Sequence, residues 1–167
     1  MTFDPALPFS ALLAWRDAET RRWREWFASH PSAALDAPVG RGSAETVRGL
    51  VRHIFAVEMR YAQRLLGVPV SEPAAFNQQS LGEIFALGDE ARRMLDKYLA
   101  TATEASLDEV LTFVTMTAGT IVASKRKILF NLVPHGMRHW AQIASYLRQA
   151  GYGDGWPHDF LLADVGI

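Results

Sequence analysis

The chain contains no cysteine. Disulfides, thiolate metal sites and a cysteine nucleophile are therefore excluded together, and any thiol chemistry would need a borrowed thiol. A charge excess is missing too: 17 Lys and Arg stand against 18 Asp and Glu, a formal net charge of −1. Without an excess of either sign there is no electrostatic footprint for nucleic acid or an anionic membrane. No apolar run is long enough to span a bilayer. The opening residues, MTFDPALPFS, lack a basic segment followed by an apolar core, so no secretory signal is read there and a cytoplasmic protein is expected. Ser, Thr and Asp residues show no nucleophile-elbow or phosphate-loop context, which leaves a hydrolase triad or a P-loop unsupported. Internal repeats and low-complexity segments are absent.

What is present is an ordinary globular composition: 167 residues, 49% hydrophobic and 21% charged. That length and balance predict one domain over residues 1–167 with a sizeable core. The first helical segment runs from Phe9 to Ser29, with Leu12, Trp15, Glu19, Trp23, Trp26 and Phe27 inward and Arg16, Arg21, Arg22 and Arg24 solvated. The dipeptide His30-Pro31 ends it, because a residue before proline avoids the helical region. A second helix is expected from Ser43, a capping residue, with Val47, Leu50, Val51, Ile54, Phe55, Tyr61, Ala62 and Leu65 at helical spacing. Gly67 and Pro69 stop it. At about 100° per residue, His53 falls on the flank of this stripe and Glu58 near its centre, where a carboxylate needs a partner. A long connection, GVPVSEPAAFNQQ, is suited to a crossover. The third helix starts at a capping box, Ser80 to Glu83, and buries Leu81, Ile84, Phe85, Gly88, Ala91, Leu95, Tyr98 and Leu99. Residues 110–116 and 120–122 are β-branched and aromatic around Ala118-Gly119, which reads as a short hairpin, with a helical continuation as the rival. The last helix starts near Ser124 and ends at Gly151. It carries Lys125, Arg126 and Lys127 in a first turn whose dipole disfavours cations. It also carries Pro134, a residue that removes a helical amide. The tail from Tyr152 reads as loop.

The stretch NLVPHGMRHWAQIASYL in that last helix holds two of the five histidines, His135 and His139. At i and i+4 two imidazoles lie one turn apart on one face and can grip a single ion. Their face is shared with Ile128, Leu132, Ile143 and Tyr146, so both rings are expected to point inward. A third donor must come from elsewhere, and His53 is the best candidate. His30 and His158, beside helix-stopping and loop prolines, are not of this kind. Such a pair also arises by chance as a structural feature, and the pattern alone leaves both readings open. If a metal is bound, three imidazoles suit zinc, nickel, iron or copper; calcium and magnesium want oxygen ligands. Asn131 and Gln142, one turn either side of the pair, and Glu58 are candidates to orient the ligands. The tryptophans read as core, with Trp15 or Trp23 able to line a cavity.

The segments SAETVRGLVRHIFAVEMRYAQRLLG and HGMRHWAQIASYLRQAG, with the order helix, helix, crossover, helix, hairpin, helix, resemble the DinB/YfiT-like family of small metal-dependent enzymes. The resemblance covers almost the whole chain. It implies an all-α fold: a four-helix bundle with an up-down-down-up course and a short β-hairpin before the last helix. It implies a divalent metal held by one histidine of the second helix and two of the last, which here are His53, His135 and His139. Glu58 matches a position commonly acidic in the family, and Gln142 matches the glutamine that closes its usual His-Arg-Gly-Gln run. Trp140-Ala141 stands where Arg-Gly is common, Arg138 where a further histidine is frequent, and Pro134 where asparagine is common. None of these departures touches the three ligands, although they are expected to border the pocket. Known activities of the wider superfamily include thiol transfer with mycothiol, bacillithiol or glutathione, and maleylpyruvate isomerisation. Family members are often homodimers.

Three functions follow as expectations. The first is a metal-dependent enzyme, a thiol S-transferase or a hydrolase, in which the ion activates a low-molecular-weight thiol or water and Glu58 or Gln142 is the catalytic candidate. The second is a non-catalytic metal-binding stress-response protein. The third is a metal-free bundle acting through partner contacts. The expected partners are a small-molecule substrate and a second copy of the chain, with no nucleic acid and no membrane.

Overall fold

The computed structural model describes residues 7–40, 44–115, 118–153 and 155–164. Along them run α1 (Phe9–Ser29), α2 (Val47–Leu66), α3 (Leu81–Leu99), a short α4 (Glu104–Asp108), strands β1 (Val110–Thr115) and β2 (Gly119–Ser124), and α5 (Lys125–Gln149). No helix among the described residues is long and apolar enough to cross a membrane. The chain forms two compact units. One comprises Met1–Val51 and His135–Ile167, the other Arg52–Pro134, so α2 and α5 contribute residues to both.

In the first unit, α1 buries Ala11, Leu13, Arg16, Glu19, Trp23, Trp26 and Phe27. Arg16, expected on the solvated side, is only 3% exposed and donates to Asp17 at 2.8 Å. A long side chain can lay its stem along apolar neighbours and still find an acceptor for its head. His30 ends the helix in an extended conformation before Pro31, as the sequence predicts. The chain then returns through a β-bridge between Pro38 and Thr46 into α2. The helix starts at Val47, and Ser43, the expected cap, lies outside the described residues. On α5, Trp140, Ile143 and Leu147 are fully buried.

In the second unit, α2 ends where the sequence places the stop. The Val68 amide donates to the Gln63 carbonyl and the Gly67 amide to the Arg64 carbonyl, with Gly67 at φ 69°. This is a Schellman close, which needs a residue free to adopt the left-handed region. The long connection is tied back by Gln63, whose side-chain amide donates to the Ser71 hydroxyl and accepts from the Ser71 amide. α3 opens with the predicted capping box: Ser80 Oγ accepts from the Glu83 amide, and the Glu83 carboxylate accepts from the Ser80 amide.

The hairpin forms, and the helical alternative does not. Its register runs from Val110 opposite Ser124 to Thr115 opposite Gly119; Met116, expected in the first strand, lies outside the described residues. The short helix α4 was not legible. Its capping box pairs Thr103 with Ser106, where the recognisable signature has Glu or Gln. α4 also explains the cations at the start of α5. Lys125 pairs with Glu109 at 2.6 Å, and Arg126 with Glu104 at 2.6 Å and Asp108 at 3.0 Å. These carboxylates raise the Arg126 pKa and offset the unfavourable helix end.

Within this unit Phe55 packs on Phe85 with ring centroids 5.3 Å apart, and Gly88 leaves room for the Phe55 ring. A Cβ at position 88 would meet that ring at 2.7 Å. Gly88→Ala is therefore expected to destabilise the fold by about 1–3 kcal/mol despite alanine's better helix propensity. Thermal unfolding checks this: a melting temperature lower by several degrees is expected, and an unchanged or higher one contradicts the close approach.

Candidate metal centre

His135 and His139 project from successive turns of α5. Their ring centroids are 4.6 Å apart and the planes are inclined at 74°. His139 is 8% exposed and His135 half-buried, on the same helix as the buried Ile128, Leu132 and Ile143. His139 Nδ1 lies 2.7 Å from Gln142 Oε1. An amide oxygen only accepts, so Nδ1 carries the proton and Nε2 keeps its lone pair. The Arg138 Nη2 donates to that Nε2 at 3.2 Å. Burial lowers the His139 pKa, the Arg138 charge acts in the same direction, and the Gln142 hydrogen bond opposes them. The result is a neutral imidazole, the form that ligates a metal.

His53 lies on α2 and is half-buried. His53, His135 and His139 each offer one ring nitrogen, and these atoms all lie within 4.8 Å of one another. Bonds of about 2.0–2.1 Å place tetrahedral ligand nitrogens roughly 3.4 Å apart around one ion. The donor set itself, three imidazoles without a thiolate, suits a borderline transition metal. These three histidines could hold a metal ion.

The other expected site residues divide. Gln142 fixes the His139 tautomer, the role read for it. Glu58 is 2% exposed on α2, near the centre of the apolar stripe where the sequence places it. The Asn131 Nδ2 donates to the Tyr61 hydroxyl at 3.0 Å within the second unit. Trp140 differs. It is fully buried and stacks on Trp23 at 5.6 Å and 11°, a core residue and not a pocket wall.

Sequence reasoning missed a second polar cluster in the first unit. Glu19, 1% exposed, accepts from Trp23 Nε1 at 2.8 Å, from Trp156 Nε1 at 3.1 Å and from His158 Nδ1 at 2.5 Å. The imidazole of His158 lies nearly parallel to Trp23 at 5.7 Å. His30 is likewise placed: it stacks on Trp26 at 3.8 Å and its Nδ1 donates to the Trp26 carbonyl at 2.7 Å. Trp26 Nε1 donates in turn to the Gly153 carbonyl at 2.8 Å. The one signal available was Glu19 itself, a carboxylate on an apolar face. Its tail partners lie more than a hundred residues away and carry no local pattern.

The model of the DinB family matches residues 3–161. No curated protein matches the chain. Among solved structures it is similar to YfiT from Bacillus subtilis, described as a probable metal-dependent hydrolase with an unusual four-helix bundle topology. That match has a TM-score of 0.68 and 16% identity, over 92% of this chain and 95% of that one. It is also similar to YjoA, a DinB-like protein from Bacillus subtilis, at TM-score 0.57 and 16% identity over 86% of this chain and 92% of that one. A third is TT2238, a four-helix bundle protein, at TM-score 0.52 and 22% identity over 86% of this chain and 98% of that one. These likenesses show the fold: a four-helix bundle with a hairpin before its last helix.

Two outcomes are expected. Glu19→Ala strands two indole N–H groups and an imidazole in the interior, and should cost about 3 kcal/mol of stability in denaturant unfolding; a loss below about 0.5 kcal/mol would contradict the cluster. The second concerns His139 in metal-free protein. Its folded-state pKa lies below the ordinary value of about 6.5, so the unfolded chain binds the proton first. Its contribution to stability is complete above about pH 6.5 and is lost as the pH falls from there towards the folded pKa. An NMR titration of the His139 ring midpoint checks the direction, and a midpoint at or above about 6.5 contradicts it.

Proposed function

Because the chain belongs to the DinB family, we propose that it is a divalent-metal-dependent enzyme whose His53, His135 and His139 hold the ion for activation of water or a low-molecular-weight thiol. The observation that carries this reading is the approach of three imidazole nitrogens from residues 53, 135 and 139 to within 4.8 Å. YfiT, of the same fold, is described as a probable metal-dependent hydrolase, which supports water as one of the two nucleophiles. The absence of cysteine means that a thiol nucleophile comes from solution.

A divalent ion bound there supplies a Lewis acid that lowers the pKa of a ligating water or thiol. The residues do the rest. Gln142 holds the Nδ1 proton of His139 and so keeps Nε2 directed as a donor. Arg138, whose Nη2 lies 3.2 Å from that Nε2, would stand beside a bound ion as a cation suited to a developing negative charge. Glu58 is the carboxylate assigned to accept the proton that the nucleophile releases. It is buried on α2, and a carboxylate is a side chain of the class that takes up and returns a proton in such steps.

Elemental analysis of the purified protein should find about one divalent transition-metal ion per chain, and folded His53→Ala, His135→Ala and His139→Ala variants should each lose most of it. Thiol consumption with electrophiles, and hydrolysis of activated esters and amides, should both be measured with and without chelator. Chelator-sensitive turnover in either assay is expected, and the active assay identifies the nucleophile. Wild-type protein without metal, or turnover that survives His139→Ala after the metal is gone, would overturn the proposal. A bound ion with no turnover in either assay would favour the non-catalytic metal-binding role.

A further inference from the structure

The second unit contains a cavity of about 560 Å³, within the range of small-molecule sites. It is lined by Arg60 and Arg64 of α2, Val68 and Glu72 of the following connection, and Leu111 and Phe113 of β1. The two arginines are one turn apart. Arg64 Nη1 donates to the Arg60 carbonyl at 3.1 Å, and its guanidinium carbon lies 4.5 Å from the centroid of the Phe113 ring. Arg60 Nε is buried and has no hydrogen-bond acceptor. Among the described residues neither guanidinium has a carboxylate partner within 4.0 Å, and Glu72, although it lines the cavity, pairs with neither.

This arrangement is not explained by the fold. The negative end of a helix favours a cation in its last turn, which accounts for Arg64. It does not account for a second arginine at i−4, since like charges at that spacing destabilise a helix. Burial, and then the Arg60 charge, lower the Arg64 pKa, with Tyr61 opposing them. With Glu72 as the single opposing charge, the lining retains a net positive charge. At the start of α5, by contrast, Arg126 meets Glu104 and Asp108.

We propose that this cavity binds a small organic anion, with its carboxylate, sulfonate or phosphate head between Arg60 and Arg64 and an aromatic or branched apolar body against Val68, Leu111 and Phe113. Guanidinium groups match such oxyanions with paired N–H donors. The Phe113 ring holds the Arg64 head over one wall, so part of the ordering cost is met before binding. This site uses none of the three histidines, and it stands or falls independently of the metal.

Calorimetric titration of the full chain with phenyl phosphate tests it. Inorganic phosphate and benzyl alcohol serve as the head alone and the body alone. Saturable binding of one phenyl phosphate per chain is expected. Arg60→Gln and Arg64→Gln should each weaken it by about tenfold while circular dichroism and melting stay near wild type. Phe113→Leu should weaken phenyl phosphate several-fold but leave inorganic phosphate unchanged. His139→Ala should leave phenyl phosphate binding intact. The proposal is overturned if the wild type shows no saturable binding, or if a folded Arg60→Gln/Arg64→Gln variant binds as the wild type does. It is also overturned if inorganic phosphate binds as tightly as phenyl phosphate, or if His139→Ala abolishes the binding.

Discussion

The stack of Trp23 on Trp140 sets the orientation on which the rest depends. The two indoles lie 5.6 Å apart and nearly parallel, and both are fully buried. Aromatic pairs contribute about 0.5–1.5 kcal/mol beyond the area they bury, and their geometry is directional. Trp140 is the residue after His139. With Trp140, Ile143 and Leu147 committed to the core, the rotation of this part of α5 about its axis is fixed, and His135, His139 and Gln142 take their face from it. Trp23 also meets Trp26, Phe27, Trp156 and His158, so the same residue that seats α5 gathers the tail. The tail residues Trp156 and His158 then close on Glu19.

Charge is handled differently in each part of the chain, and the contrast is informative. Glu19 is buried but meets three donors, so its desolvation is offset. The cations that open α5 are met by α4 and Glu109. At His139 the balance is set for a neutral ring, by burial and by the Arg138 charge. Arg60 and Arg64 share a cavity wall, and among the described residues neither has a carboxylate within 4.0 Å. Departures from local consistency concentrate where a protein meets something it does not itself contain.

Much of this was legible in the sequence, and the reasons are physical. The bounds of α1 were legible because a proline follows its last turn; of its expected inner face Glu19, Trp23, Trp26 and Phe27 are buried, whereas Leu12 and Trp15 are only half-buried. The α3 start was legible because a capping box is a local pattern, and the α2 stop because Gly67 alone can take the left-handed conformation there. His135 and His139 were legible as a pair because helical spacing is short-range information. Four features were not. α4 uses Ser106 in place of the usual acidic cap partner. Arg16 is buried against its type. Asn131 turns to Tyr61, a residue 70 positions away. The partners of Glu19 come from a tail that has no periodicity to read. In each case the deciding contact is long-range, or the deciding residue departs from the common pattern.

The central claim is that residues 53, 135 and 139 together hold one metal ion. X-ray absorption at the metal edge of the protein as isolated tests it most directly, because it counts the ligands around the ion. The account predicts a first shell containing about three imidazole nitrogens near 2.0–2.1 Å, with the outer-shell scattering that histidine rings produce. A shell of oxygen ligands with one imidazole or none would contradict it.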